Sequence, residues 1–178
     1  MRNFETNNTA NYEKCLFSAL EKGEELGYDA NEHPRIDRSI ITTENIEEIK
    51  AVLFKLIKGE VSNLMGNCFP VHTLMKPSIE KILGVGAYFT IGYMRIDGKY
   101  IHKMEIEDLL KILSPDVQIT GDLNLHAWIT LPSMEIIDLT TMTTKHMVEN
   151  GSVNGLDIIY GLSGSDGIEY FPQIAATL

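Results

Sequence analysis

Cysteine is scarce in this chain: Cys15 and Cys68 are the only two among 178 residues. Two thiols make no disulfide framework, so a small fold stapled by crosslinks is excluded, and a reducing, cytoplasmic setting is the expectation. Long apolar runs are missing too. No stretch approaches the roughly 20 residues that a membrane-spanning helix needs. The start, Met1 to Asn11, is polar and asparagine-rich, with no apolar signal region. Positive charge is in deficit: 15 Lys and Arg stand against 25 Asp and Glu, a net charge of -10. That argues against nucleic acid or an anionic membrane as partner, and leaves a protein, a peptide or a small molecule.

What is present suits one domain. A hydrophobic fraction of 44% over 178 residues is enough for a sizeable core. No internal repeat and no linker divides the chain. Residues 1–10 read as a flexible arm. Asn11 can cap a helix from Tyr12 to about Leu26, closed by Gly27, with Cys15 packed as a small hydrophobe. His33 falls in a polar connection and reads as a solvated loop residue. Thr43 opens a second helix. Glu44, Glu47 and Glu48 lie near its start and Lys55 and Lys58 near its end, as the macrodipole prefers, and Ile46, Ile49, Leu53, Leu56 and Ile57 form its buried stripe.

Cys68 is expected at or just before the start of a third helix, because Pro70 is tolerable only in a first turn. Pro77-Ser78 should break it. Ala87 to Ile91 alternates as a strand, and Asp97-Gly98 signals a hairpin that pairs Tyr100 to His102 back. Met104 to Leu113 reads as a short helix stopped at Ser114-Pro115. After Thr140 the chain turns polar, with turns at Asn150-Gly151 and Asn154-Gly155. An apolar strand follows at Leu156 to Leu162, and a last short one at Ile168 to Phe171. Helices first and antiparallel strands after make an α+β fold.

The stretch Leu125 to Thr140 carries the chemistry. His126, Trp128 and Thr130 alternate with Ala127, Ile129 and Leu131, the period of a pleated strand, and Ile136 to Thr140 forms a second one. An odd-length loop, such as Pro132 to Met134, opposes Trp128 to Asp138 and puts His126 on the neighbouring diagonal. An even-length loop sends the two side chains to opposite faces.

A thiol attacks as its thiolate. At a helix start, Cys68 has unpaired N–H groups and a partial positive charge to lower its pKa. His126 can pair with the thiolate and act as general acid, and Asp138 can orient the imidazole. The Cys68 N–H, with a second donor from Asn63 or Asn67, can hold a developing oxyanion. Trp128 reads as a wall of the core or cleft. The rival chemistry is a zinc site of Cys68, His72, His126 and Asp138, since His72 follows Cys68 at a one-turn spacing. His102 and His146 lack evident partners and read as surface residues.

These residues carry a resemblance. Gly66-Asn67-Cys68-Phe69 at a helix start, His126-Ala127-Trp128-Ile129 on a strand and Ile136-Ile137-Asp138-Leu139-Thr140 on the next resemble the transglutaminase-like branch of the papain-like cysteine enzymes. The resemblance covers residues 66–140. It implies a nucleophile helix packed on an antiparallel sheet, with Cys68, His126 and Asp138 as the catalytic residues and no metal or other cofactor. It also implies a covalent thioester intermediate, formed from an amide, isopeptide or thioester carbonyl and released by water or an amine. Pro70 departs from the unbroken helix usual in that superfamily. The alternative is a protein-binding domain that keeps the scaffold without turnover.

Overall fold

The computed structural model describes residues 2–113, 124–152, 155–165 and 167–177. It is α+β. Among the described residues the elements are α1 (Arg2–Glu25), α2 (Thr43–Leu56), a 3-10 turn (Val61–Leu64), α3 (Cys68–Leu83), β1 (Tyr88–Ile96), β2 (Lys99–Ile101), α4 (Ile106–Leu113), β3 (His126–Thr130), β4 (Glu135–Asp138), α5 (Thr141–Asn150), β5 (Ile159–Leu162) and β6 (Ile168–Ala176). The strand order is β2-β1-β3-β4-β5, and β6 pairs with β1. The expected stop at Ser114-Pro115 and the Asn154 half of one turn lie outside the described residues. No helix among the described residues is long and apolar enough to cross a membrane.

The chain divides into two compact units, one of residues 1–32, 90–126 and 162–178, the other of residues 33–89 and 127–161. In the first, α1 packs on β6. The helix starts at Arg2, not at Tyr12 as its capping signal suggests. Tyr12, Leu16, Ala19 and Leu20 are its buried stripe. Gly23 permits the approach to β6: a Cβ there would lie 2.0 Å from the Ala175 carbonyl oxygen. The Asp97-Gly98 turn is the expected hairpin. Both residues have positive φ, 50° and 77°, and Ile96 pairs with Lys99 across it. β6 runs through Pro172 to Ala176, well past the end its sequence suggests.

In the second unit α2 has a capping box. The Thr42 hydroxyl accepts from the Asn45 N–H and the Asn45 side chain accepts from the Thr42 N–H. Ile46, Ile49 and Leu53 are buried in α2 and Ile57 just beyond its end, whereas Leu56, expected in the stripe, is exposed. The α3 helix is continuous through Pro77. An interior proline costs about 3 kcal/mol, and burial of Met75 and Ile79 on either side of it offsets that. Residues 141–150, expected as a polar connection, form α5 instead. It carries buried Thr143 and ends at Gly151 in the left-handed region.

An extended strap from His33 to Ile41 docks beside the β3–β4 turn. The Ile36 N–H and the Arg35 guanidinium donate to the Pro132 carbonyl at 3.2 Å each. The buried Glu135 carboxylate accepts from Ser39 Oγ at 2.5 Å, Ile40 N–H at 2.9 Å and Ser133 Oγ at 2.6 Å. His33 is therefore not a solvated loop residue. Its N–H donates to the Tyr88 hydroxyl at 2.6 Å, and its ring lies over Gly86, where a Cβ would come within 2.3 Å of it.

Candidate active site

The β3–β4 pairing settles the register left open by the sequence. Ile129 faces Ile137 and Thr130 faces Ile136. One step further along the antiparallel ladder sets Trp128 opposite Asp138. The connection is the three-residue one, Pro132 to Met134. The Met134 N–H closes a turn onto the Leu131 carbonyl at 2.8 Å, and Met134 takes a left-handed φ of 65°. His126 lies two residues before Trp128 on β3, so the pleat gives it the parity shared by Trp128 and Asp138.

Cys68 is the first residue of α3 and is half-buried. Pro70 is the third, where the missing N–H forfeits no intrahelical bond, and the helix runs on from it unbroken. The Val71 N–H bonds to the Asn67 carbonyl at 3.0 Å. The two candidate side-chain donors are both exposed and both engaged. The Asn67 amide donates to the carbonyls of Asn63 at 2.9 Å and Met65 at 3.2 Å, which uses both its protons. The Asn63 amide donates to the Ile57 carbonyl at 3.3 Å, which leaves it a second proton.

His72 is fully buried one turn after Cys68. Its Nδ1 lies 2.7 Å from the Cys68 carbonyl, an acceptor, so Nδ1 carries the proton. Nε2 accepts from the Leu139 N–H at 2.9 Å. That tautomer is neutral. The 3.9 Å separation between Nε2 and Asp138 Oδ1 is therefore a neighbourly approach and no ion pair. With both nitrogens bonded, His72 has no lone pair left for a metal ion. It ties the first turn of α3 to the end of β4. Among the described residues no three of His, Cys, Asp and Glu are grouped to hold a metal.

Asp138 ends β4 with no exposure. Its Oδ1 accepts from the N–H groups of Thr140 at 3.0 Å and Thr141 at 3.1 Å and from the Thr140 hydroxyl at 3.4 Å, and Oδ2 accepts from the Thr141 hydroxyl at 2.6 Å. These bonds fix the carboxylate's orientation and satisfy N–H groups at the start of α5. Trp128 is fully buried beside it in the ladder, a wall of the core.

Cys68, His72, Trp128 and Asp138 belong to the second compact unit, and His126 to the first. His126 is 3% exposed and its ring stacks on that of His102, centroids 5.9 Å apart and planes 18° from parallel. His102 is thus no isolated surface residue. Nothing in the sequence signals this contact, because His102 follows β2 and His126 opens β3. Burial pushes the other thiol, Cys15, above its ordinary pKa, with Lys14 opposing.

No family model, no curated protein and no solved structure matches this chain.

Proposed function

We propose that this protein is a cysteine-nucleophile hydrolase or acyltransferase of the transglutaminase-like kind, in which Cys68, His126 and Asp138 act as one unit. The observation that carries the reading is the β3–β4 register, with Trp128 opposite Asp138 and His126 of the same parity. The alternative register would have made the unit impossible. Two further features support it: the half-buried thiol on the first residue of α3, and a wholly buried carboxylate already held in place by Thr140 and Thr141.

In this mechanism the Cys68 thiolate attacks an amide, isopeptide or thioester carbonyl carbon, forming the C–S bond. The oxyanion takes up N–H donors at the start of α3, with Asn63 favoured over Asn67 as side-chain donor because it keeps a spare proton. The His126 imidazolium protonates the departing amine or thiolate as its bond to carbon breaks. Water or an amine then gives a proton to His126 and attacks the thioester, which regenerates the thiolate. Asp138 fixes the tautomer of His126 throughout. The substrate is a protein, a peptide or a small acyl donor. The bonds that Asp138 accepts from Thr140 and Thr141 at the start of α5 favour a second reading, a protein-binding domain without turnover, in which the carboxylate's role is structural.

Incubation with activated thioesters and p-nitrophenyl esters, read by intact mass, separates the two. Turnover predicts one acyl adduct per chain, mapped to Cys68, which accumulates in a burst and is absent in Cys68→Ser. A chain that acquires no adduct at Cys68 under these conditions is the binding domain.

A further inference from the structure

We propose that His102 is a positioning residue for the imidazole of His126, an inference that rests on His126 being the general base. The two rings stack at 5.9 Å and 18° within the first compact unit, inside the separation at which flat rings attract. His102 is itself held. Its Nδ1 lies 3.1 Å from Asn124 Oδ1, and since that oxygen accepts, Nδ1–H donates.

The backbone gives a second, independent observation. His102 has a φ of 60°, the left-handed region that glycine prefers. The other non-glycine residues there, among those described, are explained by the path of the chain. Asp97 and Met134 sit in hairpin turns and Lys58 just past the end of α2. His102 sits in none of these. A residue kept in that conformation where glycine would be easier points to a use for its side chain.

Stacking supplies what a hydrogen bond to a carboxylate leaves out. A bond through one ring nitrogen fixes where the imidazole points but lets the ring rock about that line. A flat surface against its face resists the rocking. Proton transfer to a sulfur or a leaving group needs both restraints.

The test uses the full chain carrying Cys15→Ala, with His102→Gly and His102→Phe. Glycine suits φ 60° and removes the ring; phenylalanine keeps a flat ring but cannot bond Asn124. The readouts are the iodoacetamide rate at Cys68, the thermal midpoint and the ring NMR signals of His126. His102→Gly should slow alkylation about three- to tenfold without lowering the midpoint, and His102→Phe should recover most of the rate. If Cys68 of the parent is activated and His102→Gly reacts equally fast, the inference is overturned. If Cys68 of the parent reacts like free cysteine, the enzyme reading fails instead. The NMR signals then decide the stack alone: displaced, broadened His126 signals in His102→Gly uphold it, and unchanged signals overturn it.

Discussion

Buried imidazoles do different work depending on what their two nitrogens meet. His72 meets backbone on both sides, the Cys68 carbonyl and the Leu139 N–H, and so serves as a neutral strut. Removing it strands a donor and an acceptor and opens a cavity. His72→Ala is expected to destabilise the fold by about 2–5 kcal/mol, read as a fall in the urea midpoint at unchanged slope. Added zinc should not raise the parent's thermal midpoint. Cys15 obeys a simpler rule. Its raised pKa comes from burial, so the folded state favours the neutral thiol. Any stability it lends is present below the unfolded thiol's pKa and fades as pH rises through the folded value. Near neutral pH it stays protonated and slow to alkylate.

Elements show where sequence is a good guide and where tertiary contacts override it. Helix α2 was legible because its charge gradient and apolar stripe agree, and the β1–β2 hairpin because Asp97-Gly98 suits a turn with two positive φ values. Pro70 placed Cys68 at or just before a helix start, and it is the first residue of α3. Helix α5 was not legible. Its Thr-rich first turn has poor intrinsic propensity, and what organises it is the Asp138 carboxylate on the preceding strand. Asp138-x-x-Thr141 ahead of Asn150-Gly151 is the signal that could have found it. Pro77 misled in the other direction, since local propensity marks a break where buried neighbours sustain a helix. The strap was invisible because its partners, Pro132 and Glu135, lie about a hundred residues away. Gly86 is where the strap is most exposed to mutation. Gly86→Ala would drive a Cβ into the His33 ring and should cost about 1–3 kcal/mol. Adding His33→Ala should restore part of that, a coupling readable in a double-mutant cycle.

At the scale of the whole molecule, the chain passes between its two compact units after Glu32, Phe89, His126 and Gly161. The strand register was decided by the three-residue turn at Pro132 to Met134, a length the sequence permitted but did not dictate. The net charge of -10 adds no help to a thiolate, so activation of Cys68 has to come from α3 and His126. The pH dependence of Cys68 alkylation in a Cys15→Ala background, with and without His126→Ala, tests this most directly. A thiolate paired with His126 labels fast well below the pH at which an ordinary thiol reacts, and loses that advantage in His126→Ala. Labelling of Cys68 at the rate of free cysteine in both proteins would contradict it.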